Sequence, residues 1–446
     1  MAAEGKPGQF NLSWKHSGTW AVCLFVGYVV IVVSVVVAAL LTSRVPRGSV
    51  LNLAYGCGLV GFAILTLQVV LASRFKWLDS PFGLDVVMQF HSRVALLAGV
   101  LLVLHPILLM VAHGNLRLLS FQTSWRVDVG KAALALLVLG ILFALYFNKL
   151  GVDYNVWRFA HKGMVLVVIL GFVHGLWIGS DIQRTPVRIY WWLLFVVAAG
   201  IFAYRNLVVP LWVRRRFTIT DVQQETHDTY TLTFEPQDGK PTLRHPGQFM
   251  FVKLLRPGRP SELHPFTISA SPLKTRILQA TIKQSGNFTD TIDQTKVGDG
   301  ARIEVPYGRF SLVHQRCGGL VFIAGGVGVT PIMSMLRYLK ETDDLRPVLL
   351  LYGNKTERDI LFREELDALP DHVETVHVLS EPADDWQGPR GFVTRDLLET
   401  HAASRLSDPQ THVFLCGPSA MMSNVMRDLK AMGVPDSRVH YEQFTL

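Results

Sequence analysis

Six apolar runs, each about as long as the ~20 residues a helix needs to cross a bilayer, crowd into the first half of the chain. They fall at about 20–41, 50–72, 86–112, 130–147, 160–179 and 189–211. That density predicts a membrane α-helical bundle, because in lipid the backbone must satisfy its own hydrogen bonds. Charge follows the same division. Residues 1–213 carry 16 basic and 6 acidic side chains, a net +10, whereas the remaining 233 carry 27 and 29, a net −2. One half reads as a membrane protein and the other as an ordinary soluble one. The overall +8 comes from the loops and ends of the first half, so a nucleic-acid-binding face is excluded as a reading. The first run is too long for a signal-peptide core of roughly 7–15 residues and reads as a retained anchor. Six spans put both ends on one side. Eleven Lys and Arg near those ends, against seven on the other side, place both termini inside.

Beyond Arg216 the periodicity changes. Short β-type runs at 230–234, 249–254, 278–282 and 302–305, separated by Gly and Pro, predict a small antiparallel β-barrel over about 217–313. From Gly319 strands alternate with helices, the signature of an α/β domain on a parallel sheet. Three domains are expected: 1–213, 214–316 and 317–446. Four cysteines, Cys23, Cys57, Cys317 and Cys416, stand at least 34 residues apart, which gives neither a zinc or iron–sulfur spacing nor a disulfide framework.

Four histidines fall inside the spans: His91 and His105 on the third, His161 and His174 on the fifth. Ionisable groups there usually face the bundle interior and serve a function, and imidazole is a standard axial ligand of haem iron. At ~1.5 Å per residue each pair is separated by roughly 20 Å along its helix. Spans three and five run the same way, so His91 can face His161 and His105 can face His174, room for two stacked haems. The competing reading is four structural histidines or a proton relay. On an ideal helix 14 residues return to within about 40° of the starting face, but 13 miss by about 140°. The fifth span must therefore distort, or its histidines approach from different angles; Gly163, Gly171 and Gly175 permit either.

The soluble half has four further motifs. His264-Pro265-Phe266-Thr267-Ile268-Ser269 offers an aromatic ring to stack on an isoalloxazine and hydroxyls for its polar edge. Lys283-Gln284-Ser285-Gly286-Asn287-Phe288-Thr289 reads as an anion site opening a helix, suited to a pyrophosphate. Gly325-Gly326-Val327-Gly328-Val329-Thr330-Pro331 joins an apolar strand to a helix, where glycines let phosphate approach the backbone and the helix N-terminus favours it. Cys416-Gly417-Pro418 ends a later strand and would line the same sheet edge.

In combination these residues resemble the NADPH oxidase and ferric reductase superfamily, from about residue 20 to the end, and the tail half resembles the ferredoxin–NADP reductase family. Tyr154-Asn155-Val156-Trp157-Arg158 leading into His161 belongs to the same likeness. The resemblance implies two b-type haems held by His91/His161 and His105/His174, with FAD and NADPH or NADH. Phe266 and Thr267 would flank the flavin, and His264 and Gly286 to Thr289 would hold its phosphates. Gly325 to Pro331 would cradle the nicotinamide dinucleotide, Cys416 would approach the nicotinamide, and Phe444 would cover the flavin. It implies electron transfer from cytosolic NAD(P)H through FAD and the haems to oxygen across the plasma membrane, producing superoxide; the alternative is a ferric-chelate reductase. Arg47 matches in position an arginine of oxygen-reducing members, whereas Leu109 stands where animal oxidases carry a further histidine. The chain lacks EF-hand loops and resembles the minimal, prokaryote-like members, so no obligate activator is expected. Lys355 and Arg358 could bind a 2′-phosphate, favouring NADPH, although Asn354 to Ile360 also resembles a run in NADH users. Two other classes are weighed: a membrane receptor or transporter with a degenerate reductase tail, and a membrane cytochrome serving a partner protein.

Overall fold

The computed structural model describes residues 17–443 apart from 44–46, 117, 119, 121, 122 and 260. It divides into two compact units, Met1–Pro210 and Leu211–Leu446. The first is helical: α1 (Ser17–Leu41), α2 (Ser49–Leu71), α3 (Lys76–Phe82), α4 (Leu84–His113), α5 (Trp125–Tyr146), α6 (Tyr154–Lys162), α7 (Val165–Ile178) and α8 (Thr185–Ala203), the last continuing as a π-helix over Tyr204–Val213. Six helical stretches are long and apolar enough to span a membrane, α6 and α7 together forming the fifth. Most of their apolar side chains face outward, as lipid contact requires. α2 is the exception, with 61% of its most apolar window buried against 22% or less for the others, so it is the centre of the bundle. Phe62 of α2 stacks on Trp191 of α8 at 4.1 Å, and Val35, Leu137, Val167 and Phe172 close around them.

The fifth span breaks where its histidines demand it. Between α6 and α7, four backbone bonds of the tighter i→i+3 kind run from Gly163, Met164, Leu166 and Val167. A three-residue turn advances the chain by about 120° per residue instead of about 100°. Four such steps recover roughly 80° of the ~140° mismatch between His161 and His174.

The second unit holds two sheets. The first contains β1 (Arg215–Thr226), β2 (Thr229–Pro236), β3 (Phe249–Leu255), β4 (Leu263–Thr267), β5 (Leu278–Lys283) and β6 (Gly300–Tyr307), all antiparallel, in the order β4-β3-β6-β1-β2-β5. The expected closed barrel is corrected here. The sheet is coiled but open, with β4 and β5 as its edges. β4 has only five residues, and Pro265 within it has no N–H to donate, which suits it to an edge. One backbone bond, Ser269 N to Gln279 O at 3.0 Å, ties the chain just after β4 to β5.

The second sheet is fully parallel. β7 (Gly319–Gly325), β8 (Val348–Asn354), β9 (Val373–Leu379), β10 (Thr411–Cys416) and β11 (Val439–Glu442) lie in the order β11-β10-β7-β8-β9. α9 (Val329–Glu341) and α10 (Arg363–Asp367) precede α11 (Arg395–His401), α12 (Ala403–Ser407) and α13 (Ser419–Ala431), and apolar clusters bury both faces of the sheet. Sequence periodicity suggests four of these strands; the short edge strand β11 carries too little apolar pattern to be seen. The two sheets clasp through α9. Ser334 donates to Ala270 O at 2.9 Å, and Arg337 donates to Ser269 O at 2.8 Å while pairing with Glu365.

Candidate electron-transfer site

In the helical unit, α4 and the α6–α7 pair bring the four histidines together in twos. The His91 and His161 rings lie 6.1 Å apart between centroids. Two imidazoles sharing a metal at about 2.0–2.1 Å per bond would have centroids roughly 6.4 Å apart, so the pair has the separation of an axial ligand set. Neither Nδ1 makes a hydrogen bond of acceptable geometry, and both are buried. The other two are pinned by carbonyls: His105 Nδ1 lies 2.8 Å from Ala54 O, and His174 Nδ1 lies 3.1 Å from Arg126 O. A carbonyl only accepts, so each neutral ring carries its proton on Nδ1 and keeps the Nε2 lone pair for a metal. Two glycines make room for these rings. A Cβ on Gly58 would come within 2.9 Å of His105, and one on Gly130 within 2.3 Å of His174. Sequence reading missed both, since an isolated glycine in an apolar run has no distinguishing pattern.

Arg47 is firmly engaged. Its guanidinium donates to Asp181 at 2.9 Å and Ser180 at 3.2 Å and lies 4.7 Å from the Tyr55 ring centre. The bond to Asp181 raises the arginine's pKa further. Arg184 reaches the same carboxylate at 3.1 Å. Sequence reading also missed Asp181, an acid in a loop far along the chain.

In the second unit, β4 presents His264, Pro265 and Phe266 along the sheet edge, each half-buried. His264 stacks on Phe288 at 4.1 Å and meets Glu262 at 2.9 Å, so it forms part of a small aromatic and acidic cluster. Thr267 Oγ1 is buried with no hydrogen-bond partner, an unmet donor of the kind a flavin's polar edge would satisfy. Ser269 is different. It is fully buried, and its hydroxyl meets Thr281 Oγ1 at 3.2 Å, so it braces β4 against β5.

The expected anion site at Lys283 to Thr289 needs correction in form. It opens a 3₁₀ turn of six residues, Thr289–Gln294, too short for a useful helix dipole. Its amides are already capped: Ser285 N–H donates to Thr289 Oγ1 at 3.0 Å and Gly286 N–H to Asp290 Oδ1 at 2.9 Å. Lys283 pairs with Asp228 at 3.0 Å, whereas Asn287 is exposed.

The glycine loop takes the expected strand–loop–helix form. It leaves β7 and enters α9 through a 3₁₀ turn at Gly326–Gly328, beside the loop that leaves β10. The chain turns to β8 on one side of β7 while β10 lies on the other, so both loops flank the switch point where parallel sheets bind ligands. The two backbones are in contact. A Cβ on Gly328 would lie 2.4 Å from Cys416 O, and one on Gly417 would lie 3.0 Å from Gly325 N. Gly326 has φ +52°, and Tyr352 donates to its carbonyl at 3.1 Å, holding the loop from β8. Thr330 and Pro331 are buried, the threonine donating to Val327 O at 2.9 Å, and Pro418 is exposed at the start of α13. Cys416 is fully buried, and burial together with nearby Glu442 pushes its thiol well above the usual range. Lys355 and Arg358 are exposed after β8. Phe444 lies outside the described residues.

Three family descriptions match in chain order: "Ferric reductase like transmembrane component" over residues 57–172, "FAD-binding domain" over 214–308 and "Oxidoreductase NAD-binding domain" over 322–427. NADH-cytochrome b5 reductase 1 of Candida glabrata is 32% identical over 233 residues, spanning 50% of this chain and 81% of that protein. The domain set matches a ferric reductase/NADPH oxidase-like protein with a ferredoxin–NADP reductase-like C-terminal half. The chain is an oxidoreductase with FAD- and NAD-binding domains and a ferric reductase-like membrane domain, which support NAD(P)H-dependent electron transfer. The glycine betaine monooxygenase reductase subunit of Pseudomonas aeruginosa is 29% identical over 243 residues, 52% of this chain and 65% of that protein. The flavohaem-like FAD/NAD-binding domain of nitric oxide dioxygenase from Vibrio cholerae aligns with 52% of this chain and 98% of its own, at 23% identity and a TM-score of 0.47.

Proposed function

We propose that this ferric reductase-superfamily enzyme carries electrons from cytosolic NAD(P)H across the plasma membrane to oxygen, forming superoxide, through FAD and two bis-histidine haems. FAD, when bound, accepts the two electrons of a hydride together and releases them singly, and each haem carries one at a time. His91 and His161 hold one haem, and His105 and His174 hold the other. The observation that carries this reading is the fixed Nδ1–H tautomer of His105 and His174, which leaves both Nε2 atoms free to ligate. Thr267 and Phe266 orient the flavin ring at the β4 edge. The Gly325–Pro331 loop receives the dinucleotide phosphates, while Cys416, a neutral thiol, lines the nicotinamide end without ionising. Lys355 and Arg358 favour NADPH. Domains bounded at 213 and 316, cytosolic termini and turnover without an activator subunit complete the reading.

The decisive experiment is anaerobic reduction of the purified protein by NADPH, followed by oxygen in the presence of a superoxide trap. Haem bands that appear with NADPH and vanish with oxygen as superoxide accumulates support the oxidase. A second reading, ferric-chelate reductase, is favoured by the Arg47–Asp181 pair, because a neutralised guanidinium is a poorer partner for nascent superoxide. Rapid reoxidation by ferric chelate alone would establish it instead.

A further inference from the structure

The four half-buried histidines are held in different ways. His105 and His174 each donate Nδ1–H to a main-chain carbonyl, at 2.8 and 3.1 Å. His161 has no such anchor, whereas the ring of His91 lies beside the main chain of Gln68. His161 instead lies nearly face to face with Trp157, centroids 5.3 Å apart and planes 22° apart. Trp157 precedes it by four residues, one turn of α6, the spacing at which side chains on a helix meet. Trp157 stacks in turn on Phe147, at the end of α5, at 4.8 Å and 19°, and lies against Tyr154 at 5.2 Å. The start of α6 is fixed by Asp153, whose carboxylate accepts from Asn155 N–H at 2.8 Å. The short, capped α6 and the end of α5 thus form a three-ring stack ending on the imidazole.

We propose that Trp157 is a positioning residue for the His91/His161 haem, setting the plane of the His161 ring by stacking where His105 and His174 are set by hydrogen bonds. The inference rests on the bis-histidine reading. Without a bond at Nδ1, an imidazole is free to turn about Cβ–Cγ, and an aromatic face packed against it removes that freedom. The His91 and His161 planes cross at 69°. In a low-spin ferric haem the angle between the axial ring planes sets the anisotropy of the paramagnetic resonance signal, so ring orientation can be read without turnover.

The test is the resonance spectrum of the oxidised, full-length, haem-loaded protein beside Trp157→Leu and Trp157→Phe, with flavin content checking integrity. Two low-spin signals are expected in the parent, one with the strong anisotropy of steeply crossed rings. Trp157→Leu should shift or broaden that signal alone, or lose that haem alone. Trp157→Phe, which keeps a smaller face, should move it less and in the same direction. Unchanged spectra in both variants overturn the proposal, as does an equal change in both signals. If Trp157→Leu does not accumulate, Trp157→Phe decides on the same criterion. A parent protein that binds no haem defeats the bis-histidine reading itself, a separate result.

Discussion

Arg47 and Asp181 stand 134 positions apart in sequence and 2.9 Å apart in the fold, with side chains only 14% and 7% exposed. The pair joins the segment before α2 to the loop before α8, and Arg184 shares the carboxylate. Its members are therefore unequal. Arg47→Ala leaves Asp181 a partner, whereas Asp181→Ala leaves two partly buried arginines without their shared carboxylate. Removing one partner of a buried pair costs about 3–5 kcal/mol. Asp181→Ala should approach that range and Arg47→Ala fall well below it, as melting in detergent would show. Arg47→Ala should also slow reoxidation by oxygen while leaving NADPH reduction unchanged; equal oxygen turnover removes Arg47 from the site.

Gly130 and Gly58 mark room reserved for imidazole rings. Gly130→Ala, whose methyl would lie 2.3 Å from His174, should displace that ring and lower haem content toward one per chain. Gly58→Ala, at 2.9 Å from His105, should do so less completely. Haem-to-flavin stoichiometry measures both, and full loading of Gly130→Ala would count against His174 as a ligand.

The unpartnered Thr267 hydroxyl separates two outcomes cleanly. If it donates to flavin, Thr267→Val should weaken FAD binding by roughly 2- to 13-fold, the equivalent of a typical net hydrogen bond of about 0.5–1.5 kcal/mol. If it touches no ligand, removing a buried unmet hydroxyl should leave affinity unchanged and raise the melting temperature. Flavin titration of the stripped protein distinguishes them.

Gly328→Ala should uncouple the donor from the flavin. The added methyl would collide with Cys416 O at 2.4 Å and force the loops after β7 and β10 apart. Reduction by NADPH should slow at least tenfold, while dithionite reduces the same flavin normally. Stopped-flow absorbance at the flavin band reads both, and an unaltered NADPH rate would show that the loop is not the dinucleotide cradle.

Acid should destabilise the second unit through partly buried histidines. Burial pulls His314, His377 and His440 down to about 4, and His412, only 2.9 Å from His440 through its Nδ1, adds to the effect on His440. Between about 4 and the unfolded value near 6.5 the unfolded chain binds more protons, so stability is full above ~6.5 and declines as pH falls. Full-length protein should release FAD at a lower temperature at pH 5 than at pH 7.5. His440→Gln should flatten that dependence; a profile as steep as the parent's would exclude this pair as a contributor.

Much of the architecture is local in origin and so legible in the chain. The apolar runs specify six spans because bilayer thickness fixes their length, and the glycine loop specifies its turn because Gly326 has a positive φ and Gly328 has no room for a Cβ. The misfit of His161 and His174 on an ideal helix calls for a distortion or for two angles of approach, and the helix breaks at Gly163, one of the three glycines that permit either. What could not be read are relationships across distance. Whether the β4 and β5 edges meet depends on strand length and coiling summed over six strands. Whether Lys283 to Thr289 offers free amides depends on where the Thr289 and Asp290 side chains turn back. The anchors of His105 and His174 are main-chain carbonyls, which every residue has, so no pattern announces Ala54 or Arg126. Asp181 becomes the partner of Arg47 only when packing removes water from both. Sequence alone determined which residues could bear the chemistry, because spacing and hydropathy are properties of the chain. Tertiary structure decided which of their atoms remain free for it, because a hydrogen bond or ion pair consumes a donor only once folding brings its partner within about 3 Å.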